Sequence, residues 1–103
     1  MEGLELACFE IISNVGTAKS CYINARHKAK EGDYEEAKKL IEEGNKMYAE
    51  GHKAQVEMIQ KEASGESVET CLLLIHAEDQ MMSAETFQVL AGEFIDLCKM
   101  INK

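Results

Sequence analysis

Leu4, Cys8, Ile11, Val15, Ala18, Tyr22, Ala25 and Ala29 follow one another in alternating steps of four and three, without a miss. A mean spacing of 3.5 residues keeps one narrow stripe of an α-helix turned toward a neighbour, as in coiled-coil packing. The later members are small, so a second helix is able to come close. The spacing predicts a first helix from about Leu4 to Glu31. No proline occurs among the 103 residues, so the commonest helix breaker is missing. The expectation is an all-α fold.

Gly32-Asp33 ends that stripe. Glycine suits a left-handed C-terminal position, and aspartate an N-cap with Glu36 three residues on, the pattern of a capping box. Tyr34, Ala37, Ile41, Gly44, Tyr48, Gly51, Gln55 and Met58 then repeat the threes and fours, predicting a second helix over Tyr34 to Ala63. Gly44 and Gly51 lie one heptad apart and each costs ~1 kcal/mol relative to alanine in helix propensity. Close approach of a neighbour and weak local packing both account for them. Ser64-Gly65-Glu66-Ser67 is the other break, with Gly65 placed to end one helix and Ser67 to cap the next.

The third helix is predicted from about Val68 to Ile101. Its seam reads Val68, Leu72, Ile75, Asp79, Met82, Thr86 and Val89, shifting later toward Leu90, Phe94, Leu97 and Ile101. Short connections between three long helices imply an antiparallel up-down-up bundle forming one domain. So thin a rod buries its apolar surface incompletely, so a homo-oligomer is expected.

The formal net charge is −8, and Glu62 to Cys98 holds eight acidic residues and no lysine or arginine. Such a face repels a phosphate backbone, which argues against nucleic-acid binding and for a basic protein partner. Cys8, Cys21, Cys71 and Cys98 form no CxxC pair and read as reduced core thiols, as expected in the cytoplasm. The N-terminal segment lacks the basic and apolar regions of a signal peptide, and no apolar run approaches the ~20 residues that span a bilayer.

His76 and Asp79 are set into the mainly apolar stretch Cys71 to Met82 of the third helix, three positions apart and so neighbours on its surface. An unpaired carboxylate in an apolar seam must protonate, pair or find a cation. In a symmetric oligomer, copies of Asp79 can converge and share a divalent ion; the alternative is a helix-end or cross-helix hydrogen bond. His76 lies beside the seam, where one ring nitrogen can be held while the other stays nucleophilic. A core histidine bonded to backbone or carboxylate is the competing reading. His27 suits the C-terminal dipole of the first helix, and His52 a structural hydrogen bond. The sequence has no phosphate-cradling glycine loop, serine elbow or zincin motif, and the methionines fall at packing positions.

Phe9-Glu-Ile-Ile, Gly16-Thr-Ala-Lys-Ser20, Glu31-Gly-Asp33, Ala49-Glu-Gly-His52 with Gln55, Glu62-Ala-Ser-Gly-Glu66 and His76-Ala-Glu-Asp79-Gln-Met-Met82 occur in order. Together they resemble the IIA component of the lactose/cellobiose (chitobiose) class of the bacterial sugar phosphotransferase system, over about Leu4 to Met100. The resemblance implies a homotrimer forming a nine-helix assembly. It implies that His76 accepts a phosphoryl group on Nε2 from the phosphocarrier HPr and passes it to a cysteine of IIB, which serves the membrane component IIC. Asp79 matches the position at which three aspartates share one metal on the trimer axis, with Mg2+ the expected ion. Many members carry histidine directly after this aspartate, where this chain has Gln80, which donates a hydrogen bond but carries no charge. A helical trimerisation or scaffold protein is the alternative from another class.

Overall fold

The computed structural model describes residues 3–102. Met1 and Glu2, the start of the segment read above for a leader, and Lys103 lie outside the described residues. Three helices follow in order: α1, Gly3–Lys30; α2, Tyr34–Ala63; and α3, Leu72–Ile101. They lie side by side in a rod with extents of 55 × 22 × 20 Å. The packing is uneven, because α1 contacts both neighbours extensively while α2 and α3 touch far less.

The first stripe is the centre of this core. Cys8, Ile11, Val15, Ala18, Tyr22, Ala25 and Ala29 are all buried, joined by Cys21. On α2, Ala37, Gly44, Gly51, Ala54 and Met58 are buried. The two heptad glycines are contact points. A β-carbon on Gly44 would stand 2.7 Å from Tyr22 Cε1, and one on Gly51 the same distance from Val15 Cγ2. Close approach, and not loose packing, explains both.

The turns close as the residues suggest. Gly32 has φ of 83° and Gly65 of 96°, the left-handed region that glycine enters without a Cβ penalty. At the first, Gly32 N–H donates to Ala29 O and Asp33 N–H to Lys28 O; Gly65 and Glu66 donate in the same way to Glu62 and Lys61. These are paired C-terminal closures of the Schellman type. Asp33 Oδ1 accepts from Glu36 N–H at 3.2 Å, capping α2.

Two expectations for the third helix need correction. It starts at Leu72, with Cys71 in extended conformation as its N-cap, and not at Val68 behind a Ser67 cap. Ser67-Val-Glu-Thr70 stays non-helical. Its hydroxyl and β-branched side chains favour extended backbone, and Val68 lines a cleft of about 300 Å³ with Leu4, Ala7, Ala54 and Met58. The second correction concerns the inward face. The buried residues of α3 are Ala77, Met81, Ala84, Ala91, Ile95 and Cys98, mostly small. The seam of Leu72, Ile75, Asp79, Met82, Thr86 and Val89 points away from both neighbours. Leu72 is 81% exposed, Met82 68% and Val89 60%.

Three of the four thiols are core residues as expected, whereas Cys71 is half-buried at the start of α3. Burial pushes the Cys8 thiol above its ordinary range, assisted by the nearby Cys71 and Glu78, and burial followed by Glu43 does the same for Cys21. Neither thiol is activated as a nucleophile, because the thiolate is the reactive form.

Candidate functional site

His76 is the fifth residue of α3, one turn inside its N-terminus, and is exposed. Helical side chains lean toward the N-terminus, so the imidazole overlies the first turn, whose backbone N–H groups carry partial positive charge. No acidic residue occupies that turn. The side-chain hydrogen bonds and ion pair among the described residues do not engage its ring. A histidine satisfied within the core is therefore not what the chain contains.

On the helical wheel the inward face of α3 centres on Ala77, Met81 and Ala84. His76 lies at one edge of that face, between α1 and the outward apolar stripe. Gln80, one turn further on, accepts from Lys19 Nζ of α1 at 3.5 Å. At the opposite edge, Gln55 Nε2 of α2 donates to Glu78 Oε2 at 2.6 Å. These two cross-helix bonds hold the second turn of α3 against both partners and fix where the imidazole projects.

Asp79 lies on the outward stripe and is exposed. It is therefore not desolvated by its own chain, and the penalty anticipated from the seam does not arise within one subunit. No three His, Cys, Asp or Glu side chains among the described residues gather into a metal-binding group. One chain offers one carboxylate at this point. His76 and Asp79 share a side of the helix without bonding to each other.

The other imidazoles are engaged elsewhere. His27 Nε2 is 3.1 Å from Arg26 Nη2, in the last turn of α1. His52 stacks on Tyr48, with ring centroids 6.3 Å apart and planes 9° from parallel. Lys19 was not singled out from the sequence. The available signal was a lysine directly beside the core position Ala18, on the helix that packs against both others.

Residues 6–99 match the model of the family PTS system, Lactose/Cellobiose specific IIA subunit. This chain belongs to the lactose/cellobiose IIA family. It is 38% identical over 102 residues to the lichenan-specific phosphotransferase enzyme IIA component of Bacillus subtilis, an alignment covering 99% of this chain and 93% of that one. With the lactose-specific EIIA component of Staphylococcus epidermidis the identity is 33%, covering 93% and 92%. The crystal structure of the cellobiose-specific enzyme IIA from Bacillus anthracis superposes with a TM-score of 0.96 at 41% identity, covering 99% and 94%. The chain is thus a IIA component of a sugar-uptake phosphotransferase system, a class of phosphotransferase subunit that works with HPr and IIB proteins. Among the described residues, no helix of this IIA component is long and apolar enough to cross a membrane.

Proposed function

We propose that this IIA component is a cytoplasmic phosphocarrier that takes a phosphoryl group from HPr on His76 and delivers it to a cysteine of a IIB component, for a disaccharide entering through IIC. The observation carrying this reading is the exposed, unbonded imidazole at the positive end of α3 in a member of this family. The lone pair of neutral Nε2 forms the new N–P bond as the N–P bond to the donor histidine breaks and its electron pair returns to the donor nitrogen. In the second step a IIB thiolate attacks phosphorus, an S–P bond forms, and the N–P bond breaks to regenerate His76. Such transfers depend on in-line positioning and on stabilising charge spread over the phosphoryl oxygens. Basic partner surfaces complement the acidic exterior of this subunit.

The same reading includes a homotrimer. Leu72, Ile75, Met82, Val89, Leu90, Leu97 and Met100 are large, apolar and at least half exposed in one chain. An isolated subunit rarely leaves so long a contiguous stripe in water. Three copies of α3 brought together along it bury the stripe and bring three Asp79 carboxylates to the axis, where the desolvation penalty does act. Hard carboxylate oxygens fit a divalent cation such as Mg2+, which would neutralise their mutual repulsion. This role is structural. Asp79→Leu is expected to yield purified trimers without the metal; metal content equal to wild type rules out Asp79 as ligand.

An exposed stripe would also serve a pure trimerisation protein, but such a protein has no use for the exposed imidazole. The deciding experiment is intact-mass analysis after incubation with the general phosphotransferase proteins and phosphoenolpyruvate. Wild type is expected to gain one acid-labile phosphoryl mass and His76→Gln none, with both folded. A folded wild type that gains no mass returns the chain to the scaffold reading.

A further inference from the structure

Where α2 ends and α3 begins, the two helices leave a cleft of about 240 Å³ between them. It is lined by Met58, Ile59 and Glu62 of α2, Val68 of the connection, and Leu74 and Glu78 of α3. Met58 is buried, Val68 and Leu74 are half-buried, and Ile59 is 56% exposed. Large apolar side chains thus form most of the lining, and one of them still faces water.

The charged lining residues are two carboxylates. Among the described residues, neither Glu62 nor Glu78 stands within ion-pair distance of a cation. Lys61 lines a second cleft, which shares Met58 and Val68 with this one but opens beside Leu4 and Ala7. Glu78 is half-buried, and its Oε2 accepts from Gln55 Nε2 at 2.6 Å. A neutral amide orients the carboxylate across the gap between α2 and α3 without cancelling its charge.

An apolar surface that carries two anionic acceptors and no cation selects a cationic donor on an aliphatic stem. A bare metal ion gains nothing from Met58, Ile59 and Leu74, and an anion is repelled. Arginine meets both requirements. Its stem covers apolar surface, while the planar guanidinium is weakly hydrated and spreads five N–H donors toward more than one carboxylate. Ile59 offers the apolar contact that residues flanking such an arginine make in protein interfaces.

We propose that this cleft is a docking pocket for an arginine side chain on a basic segment of another protein. The one arginine of this chain does not reach it. Arg26 lies near the end of α1, at the other end of a rod 55 Å long. Rotation about an axis along the rod leaves the Arg26 of every copy at that far level, so the arginine comes from elsewhere. The cleft borders the α2 edge of α3 and His76 lies at the α1 edge. Its occupant therefore binds apart from the imidazole, and the proposal stands independently of the phosphocarrier reading.

The test is an amide NMR titration of the intact, 15N-labelled protein with a capped leucine-arginine-leucine tripeptide. The same tripeptide with glutamine at its centre, and ethylguanidinium alone, serve as comparisons. The arginine tripeptide is expected to give saturable shifts at millimolar concentration, centred on Ile59, Glu62, Val68, Leu74 and Glu78 and weakened by salt. The glutamine tripeptide should bind at least about tenfold more weakly, the scale of losing a hydrogen bond to a charged group. Glu62→Gln combined with Glu78→Gln keeps both side-chain lengths. In that variant, folded by circular dichroism and of wild-type mass in sedimentation, the arginine tripeptide should lose the same factor. Absence of saturable shifts, equal binding of the two tripeptides, or undiminished binding to the double variant would overturn the proposal. Ethylguanidinium binding as tightly as the tripeptide would make the cleft a small-cation site and overturn the protein partner. A fall in the mass of the double variant would assign the cleft to a second copy of this chain instead.

Discussion

The two faces of α3 divide its residues in an unexpected way. The face toward α1 and α2 is built mainly from small side chains, Ala77, Ala84 and Ala91, with Met81, Ile95 and Cys98. The face turned outward carries Leu72, Ile75, Met82, Val89 and Leu90, each more than half exposed. Small residues let helices within one chain approach closely, while the larger apolar area is left on the outside. Hydrophobicity alone thus ranks the wrong face of this helix as the intrachain core, because it measures the drive to be buried and does not say against which partner.

The sharpest way to break this contrast is on the outer face. On the proposed homotrimer reading, Ile75→Lys combined with Met82→Lys should abolish self-association, read as a fall from trimer to monomer mass in sedimentation, while the helical circular dichroism signal persists. Helicity lost in step with association would show instead that a single subunit cannot stand alone. On the inner side, Gly51→Val places branched carbon where Val15 Cγ2 already sits 2.7 Å from a single added β-carbon. Overpacking of this kind costs about 1–3 kcal/mol, expected as a lower denaturant midpoint.

A smaller inner-face effect comes from Tyr22, whose hydroxyl donates to Asn45 Oδ1 at 2.9 Å, where Gln88 Nε2 of α3 also donates at 2.6 Å. Burial, with the neighbouring Tyr48 and Cys21, pushes Tyr22 up to about 12. A raised folded value means that its contribution to stability is complete below pH 10 and is lost as pH climbs from 10 toward 12. Tyr22→Phe should cost about 1 kcal/mol at neutral pH, as for one net hydrogen bond, and should flatten the alkaline fall in chemical-denaturation stability. An unchanged alkaline slope would assign that fall to other groups. The smallest effect should have the opposite sign. A β-carbon on Gly92 of α3 meets nothing within 4 Å, so Gly92→Ala should raise stability by about 0.5–1 kcal/mol through helix propensity. A lower thermal midpoint would mean that this position is covered in the assembled protein.

The sequence was most legible where local chemistry and packing agree. The α1 stripe, the α2 stripe and both glycine turns could be read directly, since each depends on residues within a turn or two of one another. The start of α3 could not, because Ser67 has the chemistry of a cap while Val68 is drawn into the cleft beside Leu4 and Met58. His76 and Asp79 stood out as polar residues in an apolar run. Their surroundings did not, since Lys19 meets Gln80 across 61 positions of sequence and Gln55 meets Glu78 across 23. Periodicity identifies which side of a helix is apolar; it says nothing of which cation from another helix comes to rest beside it.

Gly44 beneath Tyr22 and Gly51 beneath Val15 also resolve an ambiguity that heptad stripes create. Two antiparallel helices with a repeating stripe can in principle slide by seven residues and still oppose apolar positions. Here the bulky pair on α1 and the bare pair on α2 share one separation, so a single alignment seats both. Sliding one way sets Tyr22 against Ala37, and sliding the other sets Val15 against Met58. The notches index the α1–α2 hairpin like the wards of a lock.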